Sequence, residues 1–132
     1  MYRRLVSAAA IVGILLLSVN WLANAFYWYV SIPPFDMYMH MLGGIFVVLI
    51  GSAFGLRHIL GKRAKEVVIE LLLFVFIVGL AWEYYEYLVQ FYIKGVHLAD
   101  ISDSISDVIC DMVGGILGTV FVLITKRRYN KG

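Results

Sequence analysis

Four long apolar stretches constrain this chain more than any other feature, and they run from about Leu5 to Val30, Met37 to Leu56, Val67 to Tyr92 and Ser104 to Thr125. A bilayer core about 30 Å thick takes roughly 20 residues of helix, and in lipid the backbone must satisfy its own hydrogen bonds. Asn20 and Asn24 interrupt the first stretch, Pro33 and Pro34 follow it, and Asp107 and Asp111 fall within the first two turns of the fourth. With 62% hydrophobic and 15% charged residues over 132 positions, the chain is too apolar for a water-soluble domain of this size. The expected fold class is all-α, a polytopic four-helix transmembrane bundle forming a single domain over residues 1–132. The basic start looks like a secretory signal, but the first run is too long for one and ends in Trp28 and Tyr29 without a small-residue cleavage site, so a retained span is expected.

Charge sets the expected direction. Arg3 and Arg4, then Arg57, Lys62, Arg63 and Lys65, then Lys126, Arg127, Arg128 and Lys131 make three basic clusters, with Lys94 apart. Basic residues stay on the cytoplasmic side, so both termini are expected in the cytoplasm, with four crossings of the cell (inner) membrane. Trp21, Trp28, Trp82, Tyr84, Tyr85, Tyr87 and Tyr92 then fall towards the outer interface, where amphipathic rings are at home. No basic cluster interleaves with aromatics on a polar surface, so the bilayer is the expected partner and nucleic acid is not. Cys110, the single cysteine, rules out an internal disulfide and reads as a packed small hydrophobe.

Asp36, Glu83, Glu86, Asp100, Asp103, Asp107 and Asp111 gather at the outward end, and only Glu66 and Glu70 lie near the cytoplasmic one. At about 1.5 Å of rise per residue, His40, Glu83, Glu86, Asp107 and Asp111 share a depth and can converge from three helices. Asp36 and Asp103 stack one turn away on the same faces and form the expected mouth of the pocket. A carboxylate facing lipid is penalised by on the order of 3 kcal/mol at mid-depth, so these groups should point inward. With Lys94 the only outer base, they require protons, water or a cation. Carboxylates and an imidazole at one-turn spacings on several helices suit a divalent cation: oxygen donors favour Mg, Ca or Mn, and His40 admits Zn. His97 in the outer loop is a candidate to join the site, whereas His58 among the cytoplasmic bases is expected at the headgroup surface.

An internal echo accompanies the cluster. Asp36-x-x-x-His40-x-x-Gly43-Gly44 opens the second stretch and Asp107-x-x-x-Asp111-x-x-Gly114-Gly115 the fourth, as in a parallel pseudo-repeat or two tightly packed helices. Gly51-x-x-x-Gly55 and Gly114-x-x-x-Gly118 also offer faces through which copies of the chain could form a homo-oligomer. No serine nucleophile elbow, phosphate loop or His-Glu-x-x-His pair occurs, so no catalytic residue or reaction is assigned.

From Asp36 to Thr125 the chain resembles the VanZ-like membrane proteins, small helical bundles associated in some bacteria with resistance to the glycopeptide teicoplanin. The likeness rests on Asp36-x-x-x-His40, on Glu83, and on Asp103-x-x-x-Asp107-x-x-x-Asp111-x-x-Gly114-x-x-x-Gly118. Met37 stands where that family often has Lys, Asp111 where it has Asn, and Glu86 near a common Gln, so this chain is the more acidic. It is equally similar to uncharacterised small inner-membrane proteins that pair His-x-x-Gly-Gly with Trp-Glu-x-x-Glu, here His40 to Gly44 and Trp82 to Glu86.

Three functional readings follow from the sequence. The first is an outward-facing acidic and histidine pocket that holds a divalent metal and engages a lipid headgroup or another cell-envelope component. The second is an oligomer that translocates protons or cations, which has to contend with Leu71 to Ala81 lacking any ionisable group. The third is a structural protein whose polar cluster only holds helices together.

Overall fold

The computed structural model describes residues 1–92 and 101–130, and every regular element in them is helical. Six helices follow in order: α1 (Tyr2–Ala25), α2 (Trp28–Ser31), α3 (Phe35–Phe54), α4 (Leu56–Leu60), α5 (Ala64–Tyr92) and α6 (Ile101–Tyr129). By length and composition α1, α3 and α6 can each cross a membrane. The 29-residue α5 packs on α6 and α3.

The helices overrun the apolar stretches by two to four residues at several ends, because helical hydrogen bonding continues where hydropathy stops. The first stretch behaves differently, ending as helix α1 at Ala25 rather than Val30. Tyr27 takes a left-handed backbone (φ 58°), which breaks the helix, and α2 follows as a separate short helix. The turn is stabilised by packing: the rings of Trp28 and Tyr29 meet Phe35 edge-on at 5.6 and 5.0 Å, and Phe35 is buried as a result.

Helix α3 is the hub, packing against α1, α5 and α6. Its partnership with α6 is the most intimate, because the two backbones touch. A methyl group on Gly44 would strike the Asp111 carbonyl, and one on Gly114 would strike the Met41 carbonyl. Gly118 continues the contact one turn further on, with Val48 and Ile45 as neighbours. Contacts advance together along both helices, so α3 and α6 run parallel. The partners differ by about 70 positions, close to the offset between the two echoed motifs, which therefore lie side by side.

Helix α5 runs antiparallel to α6, as Gly79 facing Asp111 and Gly115 facing Val75 require. Leu5 and Ala9 of α1 join Val48, Ala53, Ile59, Val67, Leu71, Val75 and Val122 in one buried cluster. The amino terminus and the end of α6 consequently lie at the same end of the assembly as α4. There Lys126, itself buried, donates through Nζ to the Ile59 carbonyl at 2.7 Å and to the Lys62 carbonyl, closing the exposed end of α4.

Candidate functional site

The opposite end holds the acidic residues other than Glu66 and Glu70, among the described residues. His40 sits one turn and a half into α3 and is 6% exposed, with carboxylates from three helices around its ring. Asp111 Oδ1 stands 3.4 Å from Nδ1. On the other side Nε2 faces Asp107 Oδ1 at 3.8 Å, Asp36 Oδ1 at 3.9 Å and Glu83 Oε1 at 3.9 Å. Asp107 and Asp111 are buried like the imidazole, and Glu83 Oε1 is buried with no hydrogen-bond partner among the described residues.

The two ring nitrogens therefore differ in kind. The Nδ1 distance is within reach of a hydrogen bond, but the Nε2 separations of 3.8–3.9 Å are too long for one. Donors that share one cation at bond lengths of about 2.0–2.5 Å stand up to about 4–5 Å apart, and the Nε2 separations fall inside that limit. Two sets meet the same test, with ligand atoms all within 4.8 Å of one another: Asp36, His40 and Asp107, and His40, Glu83 and Glu86. Both sets could hold a metal ion.

Local geometry explains why these side chains converge. Asp36, His40, Asp107 and Asp111 follow the four-residue spacing that stacks side chains on one helix face, and parallel α3 and α6 turn those faces together. The glycine contacts bring the two backbones close enough for short aspartates to reach the imidazole. Gly79 makes room for Asp111, since a Cβ there would stand 2.7 Å from Oδ2.

His40, Glu83, Glu86, Asp107 and Asp111 all come together as the spacing suggests. Asp36, expected at the mouth, is instead as close to Nε2 as Glu83 is, because it sits one helical turn above the ring on the same face. Asp103 is exposed and lines the rim of the cavity that opens beside the cluster. Lys94, His97 and Asp100 lie outside the described residues. His58 is exposed and pairs with Glu70 at 3.1 Å, far from the cluster.

That cavity, about 740 Å³, runs between α1 and α5 with α3 as its floor. Asn20, Asn24 and Tyr29 join Asp36, His40, Glu86, Gln90, Asp103 and Asp111 on its polar walls. Tyr29 donates its hydroxyl to Asn20 Oδ1 at 2.8 Å, and Asn24 donates to the Asn20 carbonyl at 2.8 Å. The asparagines were visible in the sequence as polar breaks in an apolar run. Nothing marked Tyr29 or Gly79 as neighbours of the cluster.

A family described as a predicted membrane protein (DUF2238) matches residues 3–128. The chain belongs to the DUF2238 family. The match spans both echoed motifs and the whole acidic cluster. No curated protein and no solved structure matches the chain. For this DUF2238 member the family establishes membrane residence, and the chemistry has to be argued from the site.

Proposed function

We propose that this DUF2238 protein crosses the inner membrane four times with both termini in the cytoplasm. Its His40 pocket faces outward, binds a divalent cation and engages a lipid headgroup or another envelope component. The supporting observation is the geometry at His40: one buried imidazole with four carboxylates from three helices 3.4–3.9 Å away. Every Lys and Arg among the described residues lies towards the far end, so no salt bridge to them neutralises the set. Burying unpaired carboxylates is expensive, and a cation offsets that cost directly.

Within this reading the residues have separate tasks. Nε2 of His40 with Asp36 and Asp107 is one ligand set, and His40 with Glu83 and Glu86 is the second. Asp111 serves from the other side of the ring. Metal-binding imidazoles characteristically donate their second N–H to a carboxylate, which fixes the tautomer and the ring orientation. Oxygen donors outnumber nitrogen, which favours Mg, Ca or Mn, with Zn admitted by the imidazole.

The resemblance to VanZ-like proteins supports an envelope setting through the same polar motifs. Val48, Val75 and Val122, each at most 1% exposed, form an apolar layer about two to three turns below the cluster and weigh against the translocation reading.

Elemental analysis of the protein purified in mild detergent tests the proposal. About one divalent ion per chain is expected, with the ion lost in His40→Ala and Asp107→Asn. Wild-type protein that carries no divalent ion, and gains no thermal stability when Mg, Ca, Mn or Zn is added, would overturn it.

A further inference from the structure

The cavity beside the cluster changes character along its length, and it does so at the same level on three helices. On α1 the lining passes from Leu16 and Leu17 to Asn20 and Asn24; on α3 from Val47 and Phe46 to His40 and Asp36; on α5 from Val75 and Val78 to Glu86 and Gln90. One end is therefore hydrocarbon, and the other, although Met39, Trp82 and Val89 also line it, holds the hydrogen-bonding and acidic groups. Its volume of about 740 Å³ falls within the range of ligand cavities. Helix α1 makes its main contacts with α3 rather than α5, so the space between α1 and α5 opens sideways. Leu17 and Tyr85 line the cavity from these two helices and are both more than half exposed. For a chain embedded in a bilayer, a sideways opening faces lipid.

We propose that this groove holds a membrane lipid, its acyl chain along Leu16, Leu17, Phe46 and Val78 and an amine-bearing headgroup against Asp36 and Glu86. The inference rests on the pocket reading above and names the class of ligand it engages. A small polar ligand would leave the apolar half of the groove empty, whereas an amphiphile matches both halves. Charge selects the headgroup. Asp36, Glu83, Glu86, Asp103, Asp107 and Asp111 converge on this end, and one divalent cation on a neutral imidazole would still leave carboxylates in excess. An ammonium group reduces that excess and a purely anionic headgroup adds to it. The neutral donors Asn20, Asn24 and Gln90 stand at the same end, where the phosphate of a zwitterionic lipid can accept from them.

The test uses the full chain in vesicles containing trace lipids with a photoactivatable acyl chain, one with an ethanolamine headgroup and one with glycerol. The ethanolamine probe should label peptides bearing Leu16, Leu17 and Val78 about tenfold more than the glycerol probe, a preference of the size a desolvated charge contact supplies. Val78→Trp, which fills the apolar half, should abolish that preference while leaving the divalent ion content unchanged. Leu17→Trp, at an exposed site that tolerates a larger ring, should do the same if Val78→Trp fails to fold. Equal labelling by both probes, or a preference that survives both substitutions in folded protein, would overturn the groove assignment whether or not metal is found. Selective labelling of metal-free wild-type protein would uphold the groove while removing the cation from the pocket reading.

Discussion

Lys126 is the one buried lysine or arginine among the described residues, and its surroundings explain why it is tolerated. Its ammonium donates to the Ile59 and Lys62 carbonyls, at the end of α4 and just beyond it, adding to the Lys62 backbone N–H that already reaches Ile59. Lys126→Met keeps the stem and deletes the donor, so a loss of about 1–3 kcal/mol is expected. A thermal midpoint unchanged in detergent would show that water replaces the ammonium. Glu66 acts at the same end in the opposite sense. It accepts from the Arg63 backbone N–H at 2.9 Å and from the Arg63 guanidinium at 2.8 Å, as a carboxylate at the third helical position does in a capping box. These bonds to Arg63, backbone first, hold its pKa below the usual 4.5. The capping contribution is thus complete above the unfolded value and lost as pH falls through the lower folded one. Hydrogen-exchange protection at the start of α5, taken relative to the intrinsic rate at each pH, should fall on acidification across that window in the wild type, and Glu66→Gln should flatten the change.

At the scale of helices, contact between α3 and α6 is the determinant, because it is made by backbone. Gly44→Ala and Gly114→Ala each push a methyl group into a main-chain carbonyl that cannot rotate away. Each should lose at least about 1–3 kcal/mol, read as loss of monodisperse protein on size exclusion. Gly51→Ala meets only the half-exposed Phe74 ring, which can swing aside, and Gly61→Ala has its nearest neighbour at 3.8 Å. Both should remain folded, and equal damage at all four positions would overturn close approach as the cause, since alanine is the better helix former. The echoed Gly-Gly pairs were legible in the sequence as a signal for tight packing. Their parallel direction was one of the expectations, but their direct side-by-side contact was not fixed, because residue spacing defines a helix face without naming the helix that covers it.

At the scale of the molecule, the direction of each crossing is open to chemical labelling. Cys110 is buried and should stay unreactive towards a membrane-impermeant maleimide. Single cysteines introduced by Pro33→Cys, Gly61→Cys and Asn130→Cys sit at exposed positions. Pro33→Cys should label in intact cells, and the other two only after permeabilisation. Labelling of Asn130→Cys from outside would mean that α5 and α6 do not complete the third and fourth crossings as proposed. The same experiment fixes which face of the membrane the His40 pocket addresses.

Helicity and membrane residence follow from the sequence alone, because hydropathy and hydrogen-bond satisfaction are properties of each segment in its solvent. The convergence of acids on His40 was legible to the same extent, since a shared depth and four-residue spacing limit where such side chains can go. Tertiary structure decided the rest. It placed Asp111 on Nδ1 and Glu83 and Asp107 on Nε2, brought Asp36 in from the mouth, and opened a graded groove between α1 and α5. Those outcomes depend on the register and rotation of helices joined by glycine contacts about 70 residues apart, which no local pattern encodes. The polar end predicted from composition is therefore a particular arrangement around one imidazole.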